Sequence, residues 1–138
     1  MDATAIRVLV VDDYEPWRDI ASATIHRQPG WQVVGEASDG LEAVKHAQEL
    51  EPDLILMDIG LPTINGIEAA RRIKETSPAT KILFISQNWS PDAVREALSN
   101  GAGGYVLKSD AARELSTAVK ALLKGERFLS SSLREIQS

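Results

Sequence analysis

The sequence predicts an α/β fold: a doubly wound parallel sheet of five strands with helices on both faces. Three observations carry this. Short runs rich in β-branched residues alternate with segments of helical periodicity between residues 6 and 124. Val8–Val11, Leu54–Met57 and Ile82–Ile85 are apolar without a break, as strands covered on both faces are; a sheet with one wet face would alternate. Consecutive parallel strands also demand right-handed crossovers, which helices of this length supply.

Each element has its own signal. Ile6–Val11 is the first strand, and Trp17 falls in the helix that follows it. Trp31–Ala37 is the second strand. Asp39, with Glu42 three residues on, has the form of a capping box, and Leu41, Val44, Ala47 and Leu50 make the apolar stripe of the second helix. Leu54–Met57 is the third strand, and Asn65-Gly66 reads as a turn into the third helix. After the fourth strand, Ile82–Ile85, Ser90-Pro91 sets an N-cap before a helix-compatible proline. Tyr105–Leu107 is the fifth strand. Leu115, Ala118, Val119 and Leu122 recur at helical spacing behind it, and Gly125, preceded by Lys120 and Lys124, is a helix stop.

Composition excludes several classes. A chain of 138 residues with 43% hydrophobic and 25% charged residues is an ordinary globular domain, neither disordered nor fibrous. The absence of cysteine removes disulfide scaffolds, thiolate metal sites and cysteine catalysis. A net charge of −5 disfavours a nucleic-acid surface on this chain. No apolar run is long enough to span a bilayer, and the first residues lack the pattern of a signal peptide. A cytoplasmic protein without membrane contact is expected.

In such sheets ligands bind at the carboxyl ends of the strands. Strand one ends in Asp12-Asp13, strand three in Asp58, strand four in Ser86, and strand five runs from Tyr105 to Lys108. Three converging carboxylates repel one another unless a cation neutralises them. Oxygen donors without His or Cys suit a hard ion such as Mg²⁺. A carboxylate beside such an ion and a lysine is a plausible nucleophile toward phosphorus.

These residues sit in motifs that resemble the receiver domain of bacterial two-component response regulators. The matching stretches are Val-Leu-Val-Val-Asp-Asp at 8–13, Gly-Glu-Ala-Ser-Asp-Gly-Leu-Glu-Ala at 35–43 and Pro-Asp-Leu-Ile-Leu-Met-Asp-Ile-Gly-Leu-Pro at 52–62. Asn-Gly-Ile-Glu at 65–68, Ser86 and Gly-Ala-Gly-Gly-Tyr-Val-Leu-Lys at 101–108 complete the set. Gly-Tyr-Val-Leu-Lys-Ser is similar to receivers of the NarL/FixJ (LuxR-type) group, which precede helix-turn-helix DNA-binding domains.

The resemblance implies a flavodoxin-like fold with strand order 2-1-3-4-5, a receiver over residues 1–125 and a tail or linker stub over 126–138. It implies that Asp58 is the phosphoacceptor for a sensor histidine kinase. Asp13, Asp58 and the Gly60 backbone carbonyl would hold Mg²⁺ (or Mn²⁺), with Asp12 acting through a metal-bound water. Lys108 would pair with the phosphoryl group, Ser86 would hydrogen-bond to it, and Tyr105 would turn inward as Ser86 moves. The implied output is transcription through a DNA-binding part that this chain lacks, with self-catalysed phosphotransfer and autodephosphorylation but no turnover as an enzyme. The alternative is a stand-alone receiver acting by protein contacts or as a phosphorelay intermediate. Pairing of two copies would use helices one and five, or the face of helix four, strand five and helix five.

Some positions depart from the family or vary within it. Ser109 stands where many receivers have a proline in a cis peptide after the lysine, which leaves that bond open. Gly60, two past the acceptor, offers no side chain to shield an attacking water, and Asn88 at the matching position after Ser86 is polar but weakly basic. A Mg²⁺-dependent phosphohydrolase would need a second aspartate at position 60, and an FMN protein a hydroxyl- or glycine-rich first loop instead of Asp12-Asp13. Trp17 and Trp31 read as packing, and Trp89 as packing beneath its loop with an exposed partner anchor as the alternative; Arg71, Arg72 and Lys74 read as a solvated face; His26 and His46 as unrelated to metal. Ser132-Leu133-Arg134-Glu135 has capping-box form.

Overall fold

The computed structural model describes residues 5–87 and 90–133. The chain runs β1 (Ile6–Val11), α1 (Glu15–His26), β2 (Trp31–Ala37), α2 (Gly40–Leu50), β3 (Leu54–Met57), α3 (Gly66–Thr76), β4 (Lys81–Ser86), α4 (Pro91–Ser99), β5 (Gly104–Leu107), α5 (Lys108–Leu123) and β6 (Phe128–Leu129). All neighbouring strands are parallel, in the order β2-β1-β3-β4-β5-β6.

The strand pleat sorts the unbroken apolar runs onto two cores. Leu9, Val11, Ile55, Met57 and Phe84 face α2, α3 and α4, while Val8, Val10, Leu54, Leu56 and Ile85 face α1 and α5. The helices therefore divide three to two across the sheet, as doubly wound topology requires.

Helix ends follow local hydrogen-bond needs. Asp39 caps α2 by accepting from the Glu42 N–H at 2.8 Å, and the Glu42 carboxylate reaches back to the Ser38 N–H at 2.7 Å, one residue short of the cap itself. Ser90 accepts from the Ala93 N–H at 3.1 Å. Asn65, expected only as a turn, caps α3 by accepting from the Glu68 N–H at 2.9 Å. Gly125 at φ +82° ends α5 in a Schellman motif: its N–H donates to Leu122 and that of Glu126 to Ala121, both at 2.9 Å. The peptide joining Lys108 and Ser109 is trans, and α5 starts directly at Lys108.

The sheet has six strands where the sequence predicts five. Without β6, β5 would be an edge with unpaired carbonyls; instead the Phe128 N–H donates to Gly103 at 3.1 Å and the Ser130 N–H to Tyr105 at 3.0 Å. Ser130 is fully buried, and its Oγ accepts from the Leu107 N–H at 3.2 Å. A helical turn over 131–133 follows, with the Leu133 side chain sealed in the core on the α3–α4 side. Asp110, itself buried, receives the Ser132 hydroxyl at 3.2 Å and the Arg113 guanidinium at 2.9 Å. Burial opposes ionisation of Asp110, but hydrogen bonds from Ser130 and Ser132 outweigh it and hold the carboxyl below its ordinary range. No helix among the described residues is long and apolar enough to cross a membrane.

Because Leu133 is completely buried, Leu133→Ala is expected to cost about 2–5 kcal/mol, the usual cost of a core Leu→Ala change. Urea unfolding measures it; a loss under about 0.5 kcal/mol, typical of a surface site, would mean that the tail does not contribute to the core.

Candidate functional site

Strand register builds the site. Val11 pairs with Met57, Met57 with Phe84, and Ser86 with Leu107. Asp12, Asp58, Ser86 and Lys108 therefore stand at one edge of the sheet, each at or just past the end of its strand. The backbone holds them there: the Asp12 N–H donates to Ala37 at 3.1 Å and the Asp58 N–H to Val11 at 3.0 Å. α3 presses the loop after Asp58 from below. A Cβ on Gly66 would lie 2.1 Å from the Asp58 carbonyl oxygen, so only glycine allows this approach. The Asn-Gly pair is the sequence signal for that contact.

A cleft of about 870 Å³ opens at this edge, lined by Asp13, Asp58, Gly60, Ser86, Tyr105 and Lys108, with Tyr14, Trp17 and Ile20 on its α1 side. The Lys108 Nζ is 2.8 Å from Asp12 Oδ2 and 3.7 Å from Asp58 Oδ2. Asp12 is only 1% exposed, Asp58 half-buried and Asp13 exposed. Asp12 Oδ1 accepts from the Tyr14 N–H at 2.9 Å, and Asp58 Oδ1 from the Gly60 N–H at 3.2 Å. Ser86 and Tyr105 hydrogen-bond through their side chains, and the Tyr105 ring is turned inward and fully buried.

The site carries more negative charge than its lysine neutralises. Burial raises the Asp58 pKa above 3.8, Asp12 and Asp13 raise it further, and Lys108 and the Gly60 N–H only partly offset them. One carboxylate oxygen each from Asp12, Asp13 and Asp58 lies within 4.8 Å of the others. Hard oxygen donors with surplus negative charge are the chemistry of a Mg²⁺-class site, so the residues fit such an ion. Burial also raises the Tyr105 hydroxyl above its ordinary 10.0, keeping it a neutral donor.

Every sequence-predicted site residue lies at this cleft or borders it. Trp17 was expected only to pack; its ring lies over Lys108, with the Nζ 5.2 Å from the centroid. No signal in the sequence separates an aromatic over a lysine from one in a core. Asn88 and Trp89 lie outside the described residues. Of the basic cluster on α3, Arg71 and Arg72 bond Glu68 at 2.7 and 2.8 Å and hold its carboxyl down to about 2, whereas Lys74, read as solvated, is half-buried and donates to the Pro78 and Thr80 carbonyls at 3.0 and 2.7 Å. His26 accepts from the Val33 N–H at 3.2 Å, and His46 stands 3.9 Å from Glu42.

The raised Asp58 pKa has a definite sign. The folded state prefers the protonated acid, so ionised Asp58 opposes folding as pH rises through the folded pKa, and the opposition vanishes below the ordinary value of 3.8. Asp58→Asn is therefore expected to raise the melting temperature at pH 7, with the gain closing below pH ~4. Thermal scans of both proteins across pH check this; an equal or lower melting temperature for Asp58→Asn at pH 7 would contradict it.

A family model of the response regulator receiver domain matches residues 8–120. The transcriptional regulatory protein LiaR of Bacillus subtilis is 41% identical over 128 residues, covering 93% of this chain and 61% of that protein. The response regulator protein VraR of Staphylococcus aureus is 39% identical over 121 residues, covering 88% and 58%. The chain thus spans 61% and 58% of the length of these curated relatives. The crystal structure of a LuxR-family two-component response regulator from Aurantimonas sp. SI85-9A1 superposes with a TM-score of 0.91 at 37% identity, covering 95% and 94% of the two chains. With most of β1, all of β2 to β5 and the acidic edge inside residues 8–120, the chain belongs to the response regulator receiver domain family.

Proposed function

We propose that this receiver takes a phosphoryl group from the phosphohistidine of a sensor histidine kinase onto Asp58. The observation that carries the reading is the Lys108 ammonium set between Asp12 and Asp58, 2.8 and 3.7 Å away, in a cleft shared with Ser86. An Asp58 oxygen attacks phosphorus, the P–N bond breaks, and its electron pair stays on the imidazole. Mg²⁺ (or Mn²⁺), held by Asp13, Asp58 and the Gly60 carbonyl with Asp12 behind a water, would supply charge neutralisation at the phosphoryl oxygens.

Lys108 then shifts its ion pair from the carboxylates to the new phosphoryl oxygens, and Ser86 donates to one of them. Ser86 is bonded to the buried Tyr105, so the contact biases the inward position of that ring. Taking such an equilibrium from 1:99 to 99:1 needs about 5.5 kcal/mol of preference, within reach of a few charge-assisted contacts. The output is transcription, as the name of LiaR states for that protein, through a segment outside this chain. Two copies would pair through α1 and α5 or through the α4–β5–α5 face.

Incubation with acetyl phosphate and Mg²⁺ is expected to add one phosphoryl group to the intact mass, and Asp58→Asn to abolish the addition. Labelling retained by Asp58→Asn would place the acceptor elsewhere.

Gly60 lines the cleft with nothing within 4 Å of an added Cβ, so the attacking water has an open approach. Gly60→Arg fits that space and is expected to change the lifetime of the phosphorylated form. Equal dephosphorylation rates in the two proteins would refute this.

A further inference from the structure

Two carboxylates account for one side of the Lys108 ammonium, and the α1 side of the cleft is closed by an aromatic face. Trp17 is in the first turn of α1, and Lys108 is the first residue of α5. These two helices share one face of the sheet, which brings their N-terminal turns together above its edge. The indole is half-buried against the α1–α5 core, and the Nζ stands 5.2 Å from its ring centroid, inside the range of a cation–π contact. The Lys108 side chain is only 15% exposed.

We infer that Trp17 is a positioning residue for phosphoryl transfer, acting through Lys108; this rests on the reading of Asp58 as acceptor. A lysine side chain has many rotamers, so an unrestrained ammonium would spend much of its time out of the cleft. The electron-rich indole face attracts the cation without offering an oxygen that would compete with phosphoryl groups for it. Asp12 and Asp58 fix the ammonium from the sheet side, and Trp17 bars its escape toward α1. The ammonium is then in place before the phosphoryl group arrives, so less ordering remains for the transition state.

The test uses the ring's electronics, because a purely structural role would depend on its shape. The chain has three tryptophans, so Trp31→Phe and Trp89→Phe leave Trp17 as the only one. Mono-, di- and trifluorotryptophan incorporated there weaken the ring's negative face stepwise at nearly constant volume. The rate of Asp58 labelling by acetyl phosphate with Mg²⁺ is expected to fall with each fluorine. Trp17→Leu should lose about two- to thirty-fold, the range a cation–π contact spans between exposed and desolvated sites. Without metal or phosphodonor, the Lys108 ε-methylene protons should be shifted upfield by the indole ring current in NMR spectra, and Trp17→Leu should remove that shift. Labelling that is indifferent to fluorination in a protein that does label, or no ring-current shift at Lys108, overturns the role of Trp17. Failure of the unsubstituted protein to label overturns the reading of Asp58 itself, and this inference with it.

Discussion

Asp12 is an acid with 1% of its surface exposed, at the end of a strand whose last four residues are sealed in the core. An isolated ionised carboxylate there would be strongly disfavoured, so the site depends on a cation being delivered to it. Lys108 is that cation, and it comes from the far end of the chain, across β3 and β4. The ion pair can form only if β1 and β5 run in the same direction within one sheet, because only then does the residue after β5 share an edge with the residue after β1. Charge at the edge and topology of the sheet are one requirement seen from two sides.

The same requirement explains what the sequence disclosed. The bounds of β1, β2 and β3 match the sequence reading residue for residue, and β3 does so because a strand covered on both faces leaves an unbroken apolar run. β4 and β5 extend it by Lys81, Ser86 and Gly104, end residues whose strand conformation comes from pairing with neighbours and not from their own character. Asp39, Ser90 and Gly125 were legible because a cap needs a short oxygen-bearing side chain or a positive φ. The site acids were legible because each follows an apolar run directly.

What stayed hidden was set by contacts distant in sequence. β6 is two residues long and has no period of its own; it exists because β5 offers unpaired backbone and because Ser130 and Leu133 find partners there. Trp17 was read as packing, which is half of what it does. Its other half depends on the placing of α5 beside α1, which no local pattern records. The register slip between β1 and β2 at Val8 and Leu9 is equally silent in the sequence.

The sixth strand moves the outer limit of the folding unit. A reader of motifs would end the receiver at the glycine that stops α5, yet the segment after it closes the β5 edge, caps a buried acid and fills part of the core. For anyone joining this receiver to a foreign effector, the seam belongs after residue 133. A splice at 125 would leave bare strand backbone and a buried carboxylate stripped of its serine donors, and the resulting stickiness would be mistaken for a fault of the effector.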